Sequence, residues 1–208
     1  FRAGKDIMEN ARCEAAKSSD GKLPEAAAAE YRKAQKLFED LSRAQWWPQS
    51  RVAQLKAILC LMALGDTGAS AEKFDLVPEP EIGDVSYGIY WMVKGKILYE
   101  LKKTADSLDA EIKSIAYADK DIESFPDALL ISAQCYEDSL DYHRARDTYF
   151  QVASLFQKTS WGDAAFKRLC FIMDKGLAKK KENVEIEKVF FDSEEDMDIL
   201  CNKLIRET

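Results

Sequence analysis

One histidine, His143, stands in this 208-residue chain, and it is the natural place to look for acid–base chemistry. It lies in Asp141-Tyr142-His143-Arg144, at the entry of an expected helix. A general base needs a nucleophile or acid within reach, and a metal site needs several ligands at set spacing. The neighbouring sequence supplies neither pattern, so His143 reads as a surface or capping residue. Cys13, Cys60, Cys135, Cys170 and Cys201 are widely separated and form no C-x-x-C pair. Most sit beside apolar residues at helical spacing, which suits small buried hydrophobes better than reactive thiols or zinc ligands. Gly83 and Gly88 have the spacing of a phosphate-binding loop, but Ile89-Tyr90 follows where a lysine and a hydroxyl are needed. The acidic run from Asp192 to Asp198 lacks the central glycine of a calcium loop and reads as charge favouring a helix N-terminus. These residues lead to the expectation of no catalytic group, no metal and no cofactor.

The elements that would position any such groups are helices of an ordinary folded chain. Hydrophobic residues make up 47% and charged residues 32%, a balance that supports a core instead of a disordered coil. The net charge of −7 argues against a nucleic-acid partner, because displacing counterions from phosphates takes a basic field. The longest uncharged apolar run, Ala57 to Leu64, is far short of the roughly 20 residues that span a bilayer as a helix. The first residue is Phe1 in place of Met, so the chain is expected to be a piece of a longer one.

Two stretches repeat one another. Ala27, Tyr31, Ala34 and Phe38 are spaced like Ala145, Tyr149, Val152 and Phe156, and each set makes one apolar helix face. Beyond them, Trp47, Leu55 and Ile58 are spaced like Trp161, Leu169 and Ile172. Recurrence favours a packing role for Trp47 and Trp161; Trp46 has no counterpart. Each copy predicts an antiparallel helix pair that buries its apolar side by stacking on its neighbours. A further pair is expected between them, a first helix from Tyr87 to Lys102 and a second carrying Ile115, Ala118, Ile122 and Phe125, ended by Phe125-Pro126. Gly65-Asp66, Gly68 and Val77-Pro78-Glu79-Pro80 predict an irregular loop over about 66–84. Residues 1–178 thus read as a helical array, and 179–208 as a linker and capping helix with Ser193 and Asp196 at its start.

Leu129, Ala133, Tyr136, Leu140-Asp141-Tyr142, Ala145 and Tyr149 resemble the tetratricopeptide repeat, as do Gly21-Lys22-Leu23 before Ala27 and the pair Trp91 and Gly95. Leu140 stands where that turn usually has glycine. The Phe-Pro junction and Tyr-x-x-Ala spacing are similar to bacterial envelope repeat proteins of the outer-membrane assembly lipoprotein group, which points to the periplasm or cell envelope over the cytoplasm. The resemblance implies a right-handed α-solenoid that binds a partner peptide or domain on its concave face and catalyses nothing. By resemblance, that face would carry Leu130, Gln134, Glu137 and Asp138 from one first helix, and Met92, Lys96, Tyr99 and Glu100 from another. Ala133 and Tyr136 would face the core. The acids Glu100, Glu137 and Asp138 would suit a partner with basic residues. The rival readings are a noncatalytic accessory domain of a larger enzyme and a structural spacer in an envelope assembly.

Overall fold

Nine α-helices and no strand occupy the residues that the computed structural model describes, namely 1–16, 18, 22–44, 47–117 and 124–178. They are α1 (Arg2–Ala16), α2 (Glu25–Ser42), α3 (Ser50–Ala63), α4 (Thr67–Asp75), α5 (Tyr87–Glu100), α6 (Thr104–Ala116), α7 (Ser124–Asp138), α8 (Tyr142–Leu155) and α9 (Ser160–Asp174). Every helix packs against its successor, and α3, α5, α7 and α9 also pack on one another in that order. The expected 179–208 segment, Gly21, Trp46, Ala118, Ile122 and Cys201 lie outside the described residues.

The apolar periodicity converts directly into burial. Ala27, Tyr31, Ala34 and Phe38 of α2 are buried, as are Ala145, Tyr149 and Val152 of α8. Helices α3 and α5 are apolar around most of their circumference, and a helix of that kind belongs inside, with neighbours on several sides. Their side chains form the central cluster, with Leu55, Ile58, Ile89, Met92 and Val93 almost fully enclosed.

Helices α5 and α6 approach closely through small residues. Ser107 donates to the Gly95 carbonyl and Ser114 to the Gly88 carbonyl, each at 2.8 Å. Those two contacts run in opposite directions along the chain, so the pair is antiparallel. A Cβ on Gly95 would overlap the Glu111 side chain, which explains why the small residue is needed there.

One turn recurs along the array. Gly65, Lys102, Leu140 and Gly176 all have left-handed φ, between 61 and 85°, and follow α3, α5, α7 and α9 respectively. In each case the next residue's N–H reaches back to a helix carbonyl: Asp66 to Leu61, Lys103 to Leu98, Asp141 to Tyr136 and Leu177 to Ile172, at 2.9–3.1 Å. That is the bonding of a Schellman-type helix end. The turn absorbs the glycine and non-glycine cases alike, with Leu140 left 71% exposed.

Two expectations need correction. The stretch 66–84 is not wholly irregular, because α4 occupies part of it: the Asp66 carboxylate accepts from Ala69 N–H at 3.0 Å, and Phe74 is buried against Tyr90. A cap and one buried aromatic hold a short helix through Gly68. Phe125-Pro126 does not end a helix either. α6 stops at Ala116, and both residues lie in the first turn of α7, where proline's missing N–H would have had no helical partner in any case.

Candidate partner-binding face

Alternate helices converge on one cavity of about 370 Å³, lined by α1 (Arg2, Lys5, Asp6, Met8, Glu9, Arg12), α3 (Lys56, Leu59), α5 (Ile89, Met92), α7 (Ser124, Asp127) and α9 (Trp161). No even-numbered helix contributes to it. α1 also touches α9, so the first and last described helices meet across this face.

Asp127 is the centre of its electrostatics. Its Oδ1 accepts from the Trp161 indole N–H at 3.0 Å, and its Oδ2 accepts from Arg12 at 3.2 Å. The Arg12 guanidinium lies 4.2 Å over the Trp161 ring and also donates to Glu9 at 3.3 Å. Burial would push the Asp127 carboxyl up, but the charges of Arg12 and Lys96, the Trp161 hydrogen bond and the charge of Lys56 outweigh it and hold the group below its ordinary range. Burial likewise works against the charge on Arg12, and Asp127 and Glu9 more than restore it. The chain here spends one carboxylate on joining three helices.

Glu111 of α6 is the opposite case. It is fully buried, neither carboxylate oxygen has a hydrogen-bond partner, and burial followed by repulsion from Asp127 raises its pKa well above the ordinary value, while Lys96 opposes that shift. Burial thus favours the neutral form of the group, which fills the space over Gly95.

The residues expected on the concave face are not all placed alike. Met92 lines the cavity but is 1% exposed, so its side chain is core as much as lining. Lys96 acts on Asp127 and Glu111 by charge but does not line the cavity. By helical spacing, Leu130 and Gln134 continue the α7 stripe begun by Asp127, and Tyr99 and Glu100 continue the α5 stripe through Met92 and Lys96. Asp138 hydrogen-bonds the Tyr99 phenol, which burial and this carboxylate together raise in pKa, so α5 and α7 are bridged at the far end of the stripe.

Glu137 does not point to an open surface. Its carboxylate accepts the Tyr149 hydroxyl at 2.9 Å and pairs with Arg168, leaving its side chain 13% exposed. The expectation of a freely presented acid fails there, because a buried phenol needs an acceptor and Glu137 supplies it. Ala133 is fully buried as expected, and Tyr136 is partly buried against the same cluster.

Sequence reasoning did not find Arg12, Lys56 or Asp127. Asp127 follows a proline at a helix start and reads as ordinary dipole-favouring charge. Lys56 lies inside the apolar run of α3 yet is 3% exposed. Trp161 and Trp47 hold matching positions in the sequence, but the two differ: Trp47 stacks edge-on with Phe1 at 5.3 Å, whereas Trp161 serves Arg12 and Asp127.

His143 is exposed, Cys60 and Cys135 are fully buried, and Cys13 is exposed. Among the described residues no group of three or more His, Cys, Asp or Glu side chains is placed to hold a metal ion. No helix among them is long and apolar enough to cross a membrane. Comparison with protein-family models, with curated proteins and with solved structures found no match in any of the three.

Proposed function

We propose that this chain is a protein-interaction scaffold of the tetratricopeptide type, a right-handed α-solenoid that receives a partner peptide or domain on the face lined by α1, α3, α5, α7 and α9. The observation that carries the reading is the convergence of five alternate helices on one cavity. Stacked helix pairs put one helix of every pair on the inner side, and that is the surface such arrays offer to partners. The left-handed turn that recurs after α3, α5, α7 and α9 supports the same reading, since a structural unit is repeated even where glycine is not.

The inner stripe mixes apolar side chains with paired charge, and its outer end carries the acids Glu100 and Asp138, both exposed. A partner segment with basic residues matches that end. A photo-crosslinking residue in place of Gln134 or Glu100 should capture the partner from the native cell extract. The same residue in place of Lys33 on α2 or Arg144 on α8 should not. Capture from the even-numbered helices alone would contradict the proposal.

A further inference from the structure

We propose that Asp127 and Trp161 form a recognition site for a guanidinium group, filled in the resting chain by Arg12 and available to an arginine of a bound partner that displaces it. The proposal rests on the scaffold reading only for the source of the incoming arginine; the site itself is a property of the fold.

The site is built before any ligand arrives. The Trp161 N–H fixes one carboxylate oxygen of Asp127 at 3.0 Å, leaving the other to receive a donor at the face of the indole ring. A planar cation that donates in its own plane and stacks by its face suits that geometry, and a guanidinium does both. An ammonium group has no plane to stack, and the lysines near Asp127 act on it through charge.

Exchange is feasible on three counts. The contact borders the 370 Å³ cavity, which gives an incoming side chain a route to Asp127. One guanidinium replaces another, so the charge around Asp127 is unchanged. Arg12 keeps Glu9, three residues back on its own helix, so its charge is not stranded after displacement. The contact it gives up ties α1 to α7 and α9, across 115 residues of sequence. Arrival of the ligand would therefore release α1 from the far end of the array, which makes Arg12 an internal competitor for the partner.

The test empties the site and offers a small probe. In Arg12→Ala, N-acetyl-argininamide should raise Tm in proportion to the logarithm of its concentration once above its dissociation constant, by roughly 3–6 °C at ten times that constant. N-acetyl-lysinamide should leave Tm within error, and adding Asp127→Asn should abolish the arginine effect. If Arg12→Ala has lost its helical dichroism, Arg12→Gln carries the same titration. No rise with the arginine probe, an equal rise with the lysine probe, or a rise that survives Asp127→Asn would each overturn the site. The probe acts without a partner, so this failure is separate from a failure of the crosslinking experiment above.

Discussion

Two carboxylates of α7 solve the same problem in different ways. Asp127, in the first turn, takes an aromatic N–H and an arginine from helices far away in sequence. Glu137, near the last turn, takes a tyrosine hydroxyl and an arginine from the two helices that follow it. The Glu137 set ties helices that follow one another in sequence. The Asp127 set joins α1, the first described helix, to α7 and α9. Packing between successive helices builds most of the fold, and one buried polar cluster joins its first and last described helices.

The largest effect should come from the local side. Tyr149 is fully buried and its hydroxyl is spent on Glu137, so Tyr149→Ala should destabilise by about 4 kcal/mol, the scale for losing a large core aromatic. Urea unfolding measures it, and a loss under about 1 kcal/mol would place Tyr149 outside the core. On the closing side, Arg12→Ala strands the Asp127 carboxylate, and breaking a largely buried pair should cost about 3 kcal/mol. Arg168→Ala removes a partner that is 46% exposed, and screening by solvent reduces its expected cost to under about 1 kcal/mol. Equal losses from the two arginines would erase the distinction drawn between the sets.

The pH response sharpens the comparison further, because Asp127 and Glu111 lie near one another with opposite shifts. Asp127 has a folded pKa below its unfolded value. Its contribution is present above the unfolded pKa and lost as pH falls through the folded one. Glu111 has a folded pKa above its unfolded value, so its neutral form favours the fold at low pH and the advantage is lost as pH rises through the folded pKa. Glu111→Gln should therefore gain stability over the parent as pH rises above about 4.3 and match it below. Denaturation midpoints at a series of pH values would show this. A gain that is independent of pH would mean that Glu111 is ionised in the fold.

An effect of the opposite sign concerns the recurring turn. Leu140 holds a left-handed φ of 61° with its side chain 71% exposed, so little packing is lost on removing it. Leu140→Gly should stabilise by about 1 kcal/mol through relief of that conformation. A destabilised variant would show that the Leu140 side chain makes a contact that compensates.

The sequence carried the helices well wherever an apolar face was long. Tyr31 and Phe38 in α2, and Tyr149 in α8, announce themselves by spacing, and burial follows. α4 was hidden because it is short, polar and contains Gly68, while what holds it is a single Asp66 cap and Phe74. Phe125-Pro126 was ambiguous by nature, since proline both follows helices and begins them. Met92, Lys96 and Gln134 fall on stripes that helical spacing reveals. Glu137 lies on the same helix and was placed with them, because spacing alone does not say which acid a buried tyrosine will claim. Arg12 and Asp127 were illegible for a plainer reason: no local pattern pairs residues 115 positions apart.

The convergence of alternate helices on one closed face is tested most directly by a double-mutant cycle between Arg12→Ala and Asp127→Asn, followed by urea unfolding. If α1 closes onto α7 as described, the two losses overlap and the coupling energy is about 2 kcal/mol, as expected of side chains in contact. Strictly additive losses, with a coupling under about 0.3 kcal/mol, would show that Arg12 and Asp127 do not meet and that the face is not closed by α1.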